Sequence, residues 1–99
     1  MVTADHAHVF TISGYPKLNN PIFGLVKGNS GISLAKDHLP YTTLGYQNGP
    51  GGIVPNLLVN GSRQNLTAVD TANYDFRQQA AYELRSETHG GDDVGEFEY

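Results

Sequence analysis

Four histidines and a scatter of carboxylates are the metal-binding groups of this 99-residue chain, and three of those histidines fall in two short runs near its ends. The first run is Thr3-Ala4-Asp5-His6-Ala7-His8. It offers one carboxylate and two imidazoles within a few residues of backbone, and both donor types bind zinc at roughly 2.0–2.2 Å. In an extended segment successive side chains point to opposite faces, so His6 and His8 share a face and Asp5 takes the other. Asp5 and His6 therefore reach one metal only where the strand ends. The second run, Glu87-Thr88-His89-Gly90-Gly91-Asp92-Asp93-Val94, adds an imidazole in a glycine-flanked, acidic turn. Either run by itself is more often polar loop than metal site.

As a pair, the two runs resemble the metal signatures of the alkaline phosphatases, Thr-Ala-Asp-His-x-His followed after an insert by Glu-Thr-His-x-Gly-Glu/Asp-Asp-Val. Landmarks between them are similar to the animal branch of that family: Gly14-Tyr15, Asn20 with Ile22-Phe23-Gly24-Leu25, Tyr46-x-Asn48-Gly49-Pro50-Gly51, and Arg77-Gln78-Gln79. The resemblance runs from end to end.

It implies an α/β parent, an alkaline-phosphatase-like sandwich, of which this chain is an internal piece made mostly of short β-strands and long loops. Asp5 and His6 match adjacent ligands of one catalytic zinc, and His89 matches a ligand of the other. His8 matches a histidine that orients a ligand instead of holding metal. Tyr15 matches a tyrosine that reaches toward the active-site entrance of the neighbouring subunit in dimeric members, so a homodimer is implied. The implied chemistry is hydrolysis of phosphate monoesters through a phosphoserine, with two zinc ions per subunit about 4 Å apart and a magnesium ion nearby. The serine lies in an Asp-Ser-Ala context in the family, and that tripeptide is absent from these residues. The magnesium ligands and the remaining zinc ligands are likewise expected outside this segment. Animal members carry a signal peptide and a glycosylphosphatidylinositol anchor at their far ends, which implies the extracellular face of the cell membrane.

The elements that must position these groups read as strands and turns. Residues 9–13 form a β-branched and aromatic run closed by Gly14-Tyr15-Pro16, and residues 22–26 form a second apolar run before the loop at 28–31. Residues 32–35 are too short to assign. Residues 41–46 alternate as a strand that Asn48-Gly49-Pro50-Gly51-Gly52 stops. Those glycines lack the lysine and following helix of a phosphate-cradling loop and read as a turn. Residues 53–59, interrupted by Pro55, read as an edge strand. Residues 73–81 have helical propensity, yet the matched family region is extended, and residues 82–84 would lead as a strand to His89. Three segments follow: 1–13 and 86–99 as metal-site strands and loops of the phosphatase domain, and 14–85 as the β-rich insert called the crown in the animal enzymes.

Composition agrees with a piece of something larger. Only 38% of the chain is apolar, with twelve glycines, no tryptophan and no cysteine, and scattered apolar runs bury little surface against the entropy of ordering. The net charge of −4, with carboxylates gathered toward the end of the chain, argues against nucleic acid, which requires a basic face. No run approaches the roughly 20 apolar residues that span a bilayer. Asn60 and Asn65 each open an N-x-S/T acceptor in a polar stretch, as an exposed extracellular loop would carry. His38, beside Pro40 and matching no metal position, reads as a surface histidine.

Two other classes fit the residues without the resemblance. One is a free-standing extracellular β-rich binding module, indifferent to metal. The other is a small mononuclear zinc protein using Asp5, His6 and His89, with His8 as a fourth donor. Ligand counting separates them, since a structural zinc takes four protein donors.

Overall fold

The computed structural model describes residues 1–52 and 63–98. The expected edge strand at 53–59 and the sequon at Asn60 lie outside the described residues. Within them the chain forms five short strands joined by turns, and none of the described residues is helical. The strands are β1 (Phe10–Ile12), β2 (Lys27–Gly28), β3 (Gly31–Ile32), β4 (Leu44–Gly49) and β5 (Ala80–Glu83).

β4 is the centre of a three-stranded sheet. It pairs antiparallel with β1, Thr11 facing Gly45, and parallel with β5, Asn48 facing Tyr82. The expected strand at 41–46 thus lies further along the chain than its alternation indicates. Asn48 and Gly49 are poor strand formers, but Tyr82 and Glu83 of β5 supply the pairing that propensity does not. β1 falls in the segment expected to belong to the phosphatase domain, and β4 and β5 fall in the segment expected to be the insert. β2 and β3 close a separate antiparallel hairpin around Asn29-Ser30, where the sequence reads simply as loop.

Residues 65–75 are turns, although the stretch beyond them has helical propensity. The Asp70 carboxylate accepts from the Ala72 amide at 3.1 Å, and the Asn73 side-chain oxygen accepts from the Asp75 amide at 2.9 Å. Asp and Asn offer the backbone this local alternative to a helix, and here it is taken.

Among the described residues the buried apolar side chains are Leu25, Val26, Leu44, Leu66 and Ala80, joined by Thr42, Thr43 and Thr71. The threonines are satisfied: Thr42 donates to the Leu44 carbonyl at 2.6 Å, and Thr71 to the Phe23 carbonyl at 2.6 Å. This small core sits under β4 and the Leu25–Thr42 bridge. It leaves the two metal-type runs at one margin, where the ends of the chain meet.

Candidate metal centre

The two ends are stitched together by backbone. Val2 and Phe97 exchange hydrogen bonds at 2.7 and 2.8 Å, and the Gly90 amide donates to the Ala7 carbonyl at 2.7 Å. The Thr3 hydroxyl adds a bond to the Gly95 carbonyl at 3.0 Å, across 92 residues of sequence. A glycine is required at position 90, because a Cβ there would stand 2.8 Å from the Val9 amide nitrogen. The Ala7–Gly90 bridge brings His6 and His8 up to His89.

Ligand atoms of His6, His8 and His89 all lie within 4.8 Å of one another. The His6 and His89 rings stack, with centroids 3.4 Å apart and planes at 20°. His8 meets His89 edge-on at 5.3 Å. His6 is half-buried, whereas His8 and His89 are exposed.

The chain bends at Asp5-His6, and that bend lets the neighbouring side chains share one side. The Asp5 Oδ2 atom stands 3.3 Å from His6 Nε2. His6 Nδ1 lies 3.3 Å from the Ala7 carbonyl, so the ring has an oxygen acceptor beside each of its nitrogens. Donors held at 2.0–2.1 Å by a tetrahedral ion are themselves about 3.3 Å apart, so the Asp5–His6 spacing fits zinc.

His8 is fixed differently. Its Nδ1 donates to Glu87 Oε2 at 2.5 Å, across 79 residues of sequence. A carboxylate on one ring nitrogen sets the tautomer and leaves the other as an electron-pair donor. Immediately after His8, Val9 takes a positive φ of 52°. A β-branched residue rarely adopts that conformation, and here it turns the chain from the histidine run into β1.

The carbonyl of Val9 accepts from the Gln47 amide at 2.9 Å, tying that turn to β4. On the other run, Thr88 is held by Asn48 of β4: the Thr88 amide donates to Asn48 Oδ1 at 3.1 Å, and Asn48 Nδ2 donates to Thr88 Oγ1 at 3.0 Å. Glu87 and Asn48 are contributors that the sequence did not single out. Both lie within stretches that carry the family resemblance, Glu87 two residues before His89 and Asn48 in the Tyr46-to-Gly51 landmark, which was the signal available.

Three imidazoles that meet, with the Asp5 carboxylate beside His6, offer nitrogen and oxygen donors of the kinds that zinc accepts. Arg63 makes a two-pronged bond to Asp37 at 2.6 and 2.7 Å. This pair holds the Asp37 carboxyl at about 2, below the ordinary 3.8, chiefly through the side-chain hydrogen bonds, and raises Arg63 above its usual value. Arg77 and Arg85 line a cleft of about 380 Å³ with Pro50, Glu83 and Leu84, and no histidine borders it. His38 is exposed, at a positive φ of 61° in the loop that Arg63 grips. Tyr15 projects outward with 98% of its surface exposed. Asn65 is exposed in a turn in which its Oδ1 accepts from both the amide and the hydroxyl of Thr67.

A model of the alkaline phosphatase family matches residues 1–99. Over 97 residues the chain is 48% identical to the tissue-nonspecific alkaline phosphatase isozyme of Gallus gallus, covering 98% of the chain and 17% of that protein. It is 45% identical to the alkaline phosphatase of Gadus morhua over 98% of the chain and 19% of the relative. The corresponding figures for the tissue-nonspecific isozyme of Homo sapiens are 46%, 98% and 17%. The chain thus spans less than a fifth of the length of these curated relatives.

Proposed function

This chain belongs to the alkaline phosphatase family, and from that premise we propose that it is the segment supplying part of a two-zinc centre to an enzyme that hydrolyses phosphate monoesters. The observation that carries the proposal is the meeting of His6, His8 and His89 from runs at opposite ends of a chain that matches the family throughout. Asp5 and His6 would hold one zinc and His89 the other, while His8, fixed by Glu87, orients a ligand. When bound, a zinc pair supplies positive charge that stabilises the attacking and leaving oxygens of the transferring phosphoryl group.

Within that chemistry the chain's own residues bind and orient. Asp5 presents its carboxylate beside His6 Nε2, and the Ala7 carbonyl stands beside Nδ1 of the same ring. His89 is brought against the His6 ring by the Gly90–Ala7 bond. The serine nucleophile, the magnesium ligands and the phosphate-clamping arginine are assigned to the remainder of the enzyme, since Arg63 is committed to Asp37, and no histidine borders the clefts that Arg77 and Arg85 line.

Residues 1–13 and 86–99 are assigned to the phosphatase domain and 14–85 to a crown-like insert. A homodimer is supported by the full exposure of Tyr15, the side chain expected to cross to a neighbouring subunit. An extracellular enzyme held by a lipid anchor outside this segment is consistent with the exposed acceptor at Asn65. No helix among the described residues is long and apolar enough to cross a membrane.

The test is made on the full-length protein with a chromogenic phosphate monoester at alkaline pH. Activity is expected to vanish on chelation, to return with zinc, and to fall by at least about a hundredfold in His89→Ala, given that even outer partners of a metal contribute 10–100-fold. Activity that survives both treatments rules the proposal out. The closeness of all three imidazoles favours a second reading, a single zinc bound by this chain alone. Tight one-to-one zinc binding by the isolated 99 residues, with a gain of structure, would establish it instead.

A further inference from the structure

We infer that Asn48 is a positioning residue for His89, coupling the insert's sheet to the metal centre; the inference rests on the two-zinc assignment above. Asn48 lies near the end of β4, where its backbone is in register with Tyr82 of β5. Asparagine is unfavourable in strands, so its presence there calls for a compensating role. Its side-chain amide offers one acceptor and one donor in a plane, and Thr88 offers the complement, an N–H donor at 3.1 Å and a hydroxyl acceptor at 3.0 Å. The Thr88 N–H can only donate, which assigns the amide orientation.

The consequence lies in the next residue. His89 stands between two anchors, Thr88 fixed to Asn48 and Gly90 fixed to the Ala7 carbonyl. The second anchor ties His89 to the run carrying its partner histidines, and the first ties it to the sheet. With only the Gly90 bond remaining, the imidazole could still stack on His6 but would lose its fixed direction. Asn48 touches neither metal nor substrate in this role; it acts through Thr88 on the aim of the His89 ring.

The experiment compares Asn48→Ala, Asn48→Asp, Thr88→Val and the double variant Asn48→Ala/Thr88→Val in the full-length protein. It reads zinc affinity by competition with a chromogenic chelator, exchange of the Thr88 amide, and the melting temperature of the metal-free form. Asn48→Ala is expected to weaken zinc by about 10–100-fold and to speed Thr88 exchange at least tenfold, with the metal-free melting temperature little changed. Asn48→Asp keeps the acceptor for the Thr88 amide and should recover part of the affinity, while the double variant should be no worse than either single one. Unchanged zinc affinity in Asn48→Ala, additive effects in the double variant, or a loss that merely follows the metal-free melting temperature would each overturn the inference. A wild-type protein that holds no zinc overturns the metal assignment itself, a result visible before any variant is made.

Discussion

A single hydrogen bond decides what His8 is able to do. With Nδ1 committed to Glu87, the imidazole has one defined tautomer and one defined direction, and both are lost when the carboxylate is removed. Glu87→Ala is therefore expected to lower zinc retention by about tenfold or more, with Glu87→Gln intermediate because its amide oxygen still accepts. Chelator competition on the full-length enzyme measures both. The Asp37–Arg63 pair gives a second residue-scale outcome. Because the folded carboxyl sits at about 2, below its ordinary 3.8, the pair's contribution is present above the ordinary value and is lost as pH falls from about 4 through about 2. Carbon NMR of the Asp37 carboxyl should follow that midpoint, and Arg63→Gln should return it to the ordinary range. The carboxylate is open to solvent, so the effect belongs to the 36–40 loop and contributes little to global stability.

At the scale of elements, β4 carries the assembly, and its glycine turn shows how closely β5 must approach. A Cβ added at Gly52 would lie 2.2 Å from the Glu83 nitrogen, and one at Gly51 would lie 1.9 Å from the Gln78 oxygen. These are contacts with backbone, which cannot swing aside. Gly52→Ala should thus cost about 1–3 kcal/mol or more, read as a lower melting temperature with weaker zinc retention, since β5 leads into the Glu87–His89 run. The turn itself is legible in the sequence, where Asn-Gly-Pro-Gly-Gly leaves little else. The need for glycine against β5 is not, because it arises from a strand about thirty residues further on. The same division holds elsewhere. β1 is written in the β-branched and aromatic residues 9–13, and the histidine runs are written in residue type and order. The placement of β4 over Asn48 and Gly49, the hairpin of β2 and β3, and the roles of Glu87 and Asn48 depend on partners distant in sequence, which periodicity does not encode. For residues 73–81 the family resemblance gave extended chain against local propensity, and the Asx turns of Asp70 and Asn73 supply a physical reason why no helix enters from the preceding stretch.

The whole molecule is notable for what it leaves uncovered. Its accessible surface is 7428 Å², whereas a folded monomer of 10.7 kDa is expected to expose about 5500 Å². Phe10 and Ile12 on β1, Tyr82 on β5, and Val2 and Phe97 at the joined ends are all exposed, giving apolar surface to a face that a small independent domain would bury. With so small a core, the isolated 99 residues are expected to bind a hydrophobic dye, melt without a sharp transition and hold zinc weakly, whereas the full-length enzyme melts cooperatively. Dye fluorescence and circular dichroism on both proteins check this. A sharp, dye-free transition of the isolated chain would assign it a self-sufficient core.

The hydrogen bond between His8 and Glu87 also carries information about time. Joining residues 79 positions apart directly from a disordered chain costs about 4 kcal/mol in the length-dependent part of closure alone, more than one such bond returns. Once β1 has paired with β4 and β4 with β5, only the few residues after Glu83 remain to be closed. The sheet is accordingly expected to form before the histidines meet, with the centre among the last parts of the chain to mature. In the full-length protein, metal capture is then expected to follow folding instead of nucleating it, so zinc starvation would accumulate a folded, unloaded protein rather than an unfolded chain.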